Sequence, residues 1–239
     1  MLINSTRCKV AWVSAVSPPR TRGRRTTRPS GDDREAAILT TLEEMLAGRP
    51  FAEISVDDLA KGAGLSRPTF YFYFASKDAV LVRLFERAIR AAGPGLHQPA
   101  DAPADNPARA WHDGIYAFFD ALRPHRAVVL AGLAATATNA ELRQLWAAFM
   151  AGWIDYTAAL ITKERHRGAA PDTIPAHDLA TALNLMNERV VIASQGTQEP
   201  TLPERAALET LAHVWTTSIY GLGGPPGADA EPLVPVSTT

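Results

Sequence analysis

Cysteine is almost missing from this chain: its 239 residues carry one, Cys8. A single thiol excludes an internal disulfide framework and a zinc ribbon, and it suits a reducing, cytoplasmic compartment. Long apolar runs are missing too. No stretch approaches the roughly eighteen consecutive apolar residues of a spanning helix, so no membrane partner is expected. Histidine is present without a ligand pattern: His97, His112, His125, His166, His177 and His213 contain no i, i+4 pair and no H-E-x-x-H. His112-Asp113 and His177-Asp178 put adjacent side chains about 100° apart on a helix, so they read as surface or cap residues. Neither a glycine-rich phosphate loop nor a G-x-S-x-G elbow occurs. With Cys8 in a tail, where it makes a poor nucleophile, the chain reads as a non-enzyme that needs no cofactor or metal.

What is present is a globular composition, 46% hydrophobic, which excludes global disorder. The formal net charge of −1 conceals an asymmetry. Residues 1–90 hold 15 Lys+Arg against 10 Asp+Glu, a net of +5, and residues 91–239 hold 9 against 15, a net of −6. Residues 1–28 contain seven basic groups and no acid. A basic front and an acidic rear are what a nucleic-acid-binding half joined to a non-binding half would give. Arg7 and Lys9 ahead of Val10-Ala11-Trp12-Val13 imitate a signal peptide, but Ser14, Ser17, Pro18-Pro19 and further arginines argue against secretion.

Helical patterns fill the chain. Pro29 to Asp33 is turn-like; Ile38, Leu42, Met45 and Leu46 then share a helix face, ended by Gly48 and Pro50. Ser55 and Asp58 form a capping box with Ile54 and Leu59 at the staple positions, starting a helix that runs to about Gly62. Ala63-Gly64-Leu65 is a tight turn, and Ser66 caps a second helix, with Leu65 and Phe70 as its staple. Two short capped helices about a three-residue turn make a helix-turn-helix pattern. A longer helix starts at Ser76 and stops at Gly93-Pro94-Gly95. Five further segments follow, at roughly 108–122, 125–136, 140–167, 176–195 and 203–220. Thr201 and Glu204 repeat the capping-box spacing ahead of the last. The fold class is all-α, with about nine helices. Its parts are a disordered basic arm 1–29, a helix-turn-helix domain 30–92, a helical domain 93–221 and a disordered tail 222–239.

A recognition helix needs polar side chains on its first turns and apolar anchors behind them. Phe70 and Phe74 are spaced to anchor, while Arg67, Thr69, Tyr71 and Tyr73 fall largely on other faces. Ser66 is the cap, Arg67 suits guanine O6/N7 or phosphate, Thr69 a thymine methyl, and the tyrosine hydroxyls phosphate or base edges. Lys77 serves as a phosphate contact or a solvated charge. The alternative is an aromatic-rich packing helix. The arm holding Arg20, Arg22, Arg24, Arg25 and Arg28 either tracks phosphates and minor grooves or is a solvated tail.

In the rear half, Trp111, Ile115, Phe118, Phe119 and Leu122 share one helix face. Trp146, Phe149, Met150, Trp153, Tyr156 and Thr157 share another. A third helix carries Asn184, Asn187, Glu188 and Val191, and the last carries Trp215. By periodicity these are core positions. The polar trio on an apolar helix needs partners, and an apolar pocket with few polar groups is equally what a small-molecule site requires.

The block from Ile54 through Leu65, Ser66-Arg-Pro-Thr-Phe-Tyr-Phe-Tyr-Phe74 and on to Leu81 resembles the TetR family of transcriptional repressors. Arg24 to Asp33, Arg67 to Phe74, Trp153 to Ala159 and Pro175 to Arg189 resemble its EthR-type subgroup, and the likeness spans about residues 22–221. Tyr73 stands where many family members have His. The resemblance implies a homodimer through helices 176–195 and 203–220 that binds double-stranded operator DNA. It implies a hydrophobic small-molecule effector lined by Trp111, Phe118, Trp146, Met150, Trp153, Tyr156, Thr157, Asn184, Asn187 and Trp215. Leu122 and Ile192 replace aromatic residues of the subgroup and reshape that pocket. Repression of a neighbouring monooxygenase gene, relieved by the effector, is the implied function. A ligand-responsive activator shares these features, and a hydrophobic-ligand carrier would lack specific DNA binding.

Overall fold

The computed structural model describes residues 31–92, 106–196 and 199–221. The arm with Arg24, Arg25 and Arg28, the loop after Ala92 and the tail after Gly221 lie outside the described residues. Nine α-helices and no strand occur among the described residues. They are α1 (Gly31–Leu46), α2 (Val56–Gly62), α3 (Arg67–Tyr73), α4 (Lys77–Ala92), α5 (Pro107–Leu122), α6 (Arg126–Ala135), α7 (Ala140–His166), α8 (Ala176–Gly196) and α9 (Glu204–Tyr220).

The starts of α2, α3 and α4 follow from side-chain caps. Ser55 Oγ accepts from Asp58 N at 3.1 Å, and Ser55 N donates to Asp58 Oδ2 at 2.9 Å, closing the capping box. Ser66 caps α3 through Thr69 N, and Ser76 caps α4 through Ala79 N. Between α2 and α3 the chain reverses at Gly64, whose φ of 67° is in the left-handed region. Leu65 N reaches back to Ala60 O at 2.8 Å and Gly64 N to Lys61 O at 3.1 Å, a Schellman closure that sets the angle between the two helices.

Two boundaries differ from the sequence expectation. Asp32 and Asp33 are not in a turn; they lie in the first turn of α1, where acidic side chains meet the positive end of the helix dipole. Thr201 and Glu204 form no capping box: the N-cap of α9 is Pro203 without a side-chain cap, and Thr201 Oγ1 donates to Leu202 O. Spacing alone cannot see that Pro203 takes the cap position. Among the described residues α7 is long and apolar enough, by length and composition, to cross a membrane, which the count of consecutive apolar residues did not anticipate. Its buried positions Trp146, Met150, Trp153, Thr157 and Ile161 pack as those of a core helix do.

The buried side chains form one continuous cluster rather than two. Ile38, Leu42, Leu59, Phe70 and Leu81 fill the space among α1 to α4 and are almost completely buried. α7 packs along α8, and α5 along α9. α4 belongs to both halves, since it contacts α1 on one side and α5, α6 and α7 on the other. Phe85 of α4 is fully buried, and a Cβ on Gly132 of α6 would fall 2.2 Å from its ring. The close approach of α4 to α6 therefore requires glycine there. A second tie is His125 Nδ1 to Glu43 Oε1 at 2.8 Å, between the turn before α6 and α1.

Candidate functional site

The short helix α3 divides cleanly. Phe70 and Phe74 are buried, with their rings tilted at 38° and 6.2 Å apart, anchoring the helix. Ser66, Arg67 and Tyr71 are exposed and Thr69 half-buried. The hydroxyls of Ser66 and Thr69 meet at 2.8 Å, so both are fixed at the helix start. Arg67 Nη1 donates to both carboxylate oxygens of Asp57, at 3.1 and 3.2 Å, and Nη2 to Tyr71 Oη at 3.5 Å. Tyr73 is half-buried with its hydroxyl beside Gly31, the first residue of α1. An open groove of about 560 Å³ runs between the start of α1 and the turn, lined by Asp33, Arg34, Gly64, Ser66 and Thr69.

Phe72 escaped the sequence reading. It is 82% exposed, the most exposed of the large hydrophobics described, and its ring meets Tyr73 edge-on at 5.2 Å. Two residues on from Phe70 is about 200° around a helix, so the spacing pointed to the open face. Lys77 is a correction. It is neither solvated nor aimed outward: Nζ donates to the carbonyls of Phe51, Ala52 and Ile54 at 3.1, 3.3 and 2.9 Å and lies 4.6 Å from the Phe51 ring centroid. Its three donors hold the 3₁₀ turn Phe51–Glu53 against the start of α4.

In the rear half, the aromatic positions converge. A row of rings runs from Phe85 to Trp146 (6.0 Å), Phe149 (5.2 Å), Phe118 (6.4 Å) and Trp153 (5.0 Å). Trp111 and Trp215 stand 5.4 Å apart. Met150, Leu122 and Val191 are buried in the same cluster. The polar trio of α8 finds partners on both flanking helices. Asn184 Nδ2 donates to Thr157 Oγ1 at 3.1 Å, Trp215 Nε1 to Asn187 Oδ1 at 3.0 Å, and Trp146 Nε1 to Glu188 Oε1 at 2.5 Å. Burial pushes the Tyr156 phenol above its ordinary range. Trp153 Nε1 is buried with no hydrogen-bond partner among the described residues.

This half also carries a network, joining α5, α7 and α9, that spacing did not indicate. Trp111 Nε1 donates to Tyr220 Oη at 3.2 Å, and Tyr220 Oη donates to Glu164 Oε2 at 2.7 Å. Arg167 completes it on Glu164. Burial and the bond to Glu164 push the Tyr220 phenol far up. Burial raises the Glu164 carboxyl, but hydrogen bonds from Arg167 and Tyr220 outweigh it and leave the group below its usual range. No group of three or more potential metal ligands occurs among the described residues.

Comparison with known proteins decides the family. Residues 38–84 match the family of bacterial regulatory proteins, tetR family, and residues 111–221 match the C-terminal domain of the transcriptional regulator EthR. The HTH-type transcriptional regulator EthR of Mycobacterium tuberculosis H37Rv is 59% identical over 201 residues, 84% of this chain and 93% of that one. The chain belongs to the TetR family, in its EthR branch. The EthR protein of Mycolicibacterium smegmatis is 52% identical over 210 residues, covering 87% and 97% of the two chains. A putative TetR-family regulator from Rhodococcus sp. shares the fold at a TM-score of 0.60 and 17% identity, over 78% of this chain and 99% of that one. The fatty acid degradation regulator FadR of Bacillus halodurans does so at 0.61 and 18%, over 80% and 97%. This EthR-type chain is therefore a helix-turn-helix transcriptional regulator and not an enzyme. Regulators of this family bind operator DNA and act as dimers.

Proposed function

We propose that this protein is a repressor that occupies operator DNA as a homodimer and is released by a hydrophobic small molecule held among α5, α7, α8 and α9. The observation that carries the effector reading is the composition of the rear cluster. Rings on three helices surround a few polar groups, and the buried Trp153 indole N–H has no partner. An unanswered buried donor costs about 1–3 kcal/mol, which a ligand bearing one acceptor recovers. Trp111, Phe118, Leu122, Trp146, Phe149, Met150, Tyr156, Thr157, Asn184, Asn187, Glu188, Val191 and Trp215 complete the proposed lining. Ser66, Arg67, Thr69, Tyr71 and Tyr73 are the proposed DNA-contacting residues, joined by Arg24, Arg25 and Arg28 of the arm.

The dimer is proposed through α8 and α9; Leu185 on α8 and Leu202, just before α9, are exposed large hydrophobics in this single chain. Two helix-turn-helix units in one dimer read half-sites about 34–36 Å apart. An effector that favours a spacing which no longer fits releases the DNA, provided its affinity differs between the two states. The proposed site of action is the cytoplasm, and the proposed target, from the EthR likeness, is a neighbouring monooxygenase gene. Activation is the second reading, because residues of this chain also match the HTH-type transcriptional activator FasR of Mycolicibacterium smegmatis at 29% identity over 97 residues.

The test is a titration of the purified protein against duplex DNA from its own upstream intergenic region, with scrambled DNA as control, at about 50 and 200 mM salt. Preference by roughly a thousandfold or more is expected, followed by release on adding alkyl-aromatic ligands. Equal, salt-sensitive binding to both duplexes overturns the regulator of its own locus. Release accompanied by loss of transcription in a reporter strain favours the activator.

A further inference from the structure

The sequence makes α3 the helix that reads DNA, yet its leading arginine does not stand free. Arg67 is the first residue of α3, on the turn from which a recognition helix contacts base edges. Its guanidinium is held from two sides by groups of different helices. Asp57, in the first turn of α2, takes Nη1 with both oxygens, and Tyr71, one turn along α3, takes Nη2 and offers its ring 5.8 Å below the guanidinium carbon. Hydrogen bonding to Tyr71 and the charge of Asp57 keep the guanidinium firmly protonated. Nε and a second hydrogen of Nη2 have no partner among the described residues. Those two N–H groups form the fork with which arginine spans guanine O6 and N7.

The charge of Asp57 needs an explanation. Its side chain is 65% exposed on the face that carries Arg67, so it opposes the approach of every phosphate. The start of α2 is already capped by Ser55 and Asp58 and does not require a second acid. We propose that Asp57 is a specificity-determining positioning residue: with Tyr71 it locks Arg67 so that the free edge of the guanidinium meets guanine and the side chain cannot swing to a neighbouring phosphate. The inference rests on the DNA-reading assignment of α3. Asp57 gives up general affinity for DNA and gains discrimination at one base pair, and those two quantities move in opposite directions when its charge is removed.

The experiment uses the full-length protein and a duplex selected by the wild type from a randomised library, then a panel with each base pair of that duplex replaced in turn. Asp57→Asn is expected to lose about tenfold of discrimination at one G·C pair, while binding to scrambled DNA stays level or strengthens. Arg67→Lys, which keeps the charge and loses the fork, is expected to lose discrimination at the same pair. In an Arg67→Ala background Asp57→Asn is expected to leave the panel unchanged. Thermal unfolding of each variant reports any loss of fold, and Asp57→Ser, which also removes the charge, is read in its place if Asp57→Asn unfolds. An Asp57→Asn protein that gains affinity uniformly with its discrimination intact overturns the proposal, making Asp57 a charge brake only. Uniform weakening in Arg67→Ala overturns it as well, since Arg67 would then be a phosphate contact. If the wild type selects no sequence, the DNA-reading assignment itself falls, and that result is distinct from the others.

Discussion

Lys77 shows how one side chain changes role once its surroundings are known. As an exposed lysine it would neutralise a phosphate; here its ammonium closes three carbonyls of the turn before α2. Hydrogen bonds to a charged group contribute about 1.5–3 kcal/mol. Lys77→Met is therefore expected to lower the unfolding free energy by an amount in that range, read as a lower urea midpoint with the slope of the transition unchanged. The salt dependence of DNA binding is expected to hold, whereas removing a true phosphate contact would reduce the log–log slope by about 0.9. A change of slope in this variant would return Lys77 to the DNA. Phe72 makes the converse case. With 82% of its surface open it stabilises almost nothing in the free protein, so Phe72→Ala should alter stability by no more than about 0.5 kcal/mol. If the exposed ring meets DNA, the same variant binds DNA more weakly at unchanged melting temperature; unaltered binding would leave the ring without a role.

The packing of α4 on α6 depends on the absence of a side chain. A Cβ at Gly132 would fall within 2.2–2.9 Å of three atoms of the Phe85 ring, which is fully buried and cannot swing into solvent. Gly132→Ala is expected to destabilise by about 1–3 kcal/mol, as overpacking does, read as a lower unfolding temperature. Nothing in the sequence marked this glycine, since the demand for it comes from a ring 47 residues away in α4. Local chemistry was readable: Ser55 with Asp58, Ser66 and the turn at Gly64 act within six residues, and the structure has them as the spacing predicted. Ion pairs and hydrogen bonds between helices were not, because they depend on which faces meet. The α5–α7–α9 seam is of that kind, and its pH behaviour follows from the two shifts. Tyr220 holds its proton more tightly folded than unfolded, so its contribution is complete below its ordinary value of 10.0 and is lost as the pH rises beyond it. Glu164 is shifted down, so its contribution is present above its ordinary 4.5 and is lost as the pH falls through the lowered folded value. Tyr220→Phe is expected to lose less stability than the wild type on passing from about pH 10 to 11, measured by denaturant unfolding with tyrosinate absorbance as the monitor of ionisation. Equal losses in the two proteins would break the assignment.

The two halves share one buried cluster, and in the proposed mechanism that continuity lets a ligand in one act on DNA at the other. Phe85 sits in the joint: it belongs to α4, the helix that follows the proposed recognition helix α3, and its ring ends the aromatic row that runs through Trp146 to Trp153. A change at Trp146 cannot be absorbed by empty space around Phe85, because the ring is already against the backbone of Gly132. Close packing of this sort transmits displacement between discrete arrangements rather than damping it. Linkage then fixes a quantitative expectation for the whole molecule. If a hydrophobic ligand weakens DNA affinity by some factor, saturating the protein with operator DNA must weaken ligand affinity by the same factor, and couplings of this class amount to about 5–150-fold. Calorimetric titration of the ligand with and without operator, set beside DNA titration with and without ligand, measures both sides. Phe85→Leu, which keeps the site apolar and shortens the ring's reach toward Trp146, is expected to reduce that factor while ligand affinity in the absence of DNA changes little. A factor unchanged in Phe85→Leu would move the joint elsewhere, with His125 and Glu43 between α1 and the start of α6 as the next contact to break.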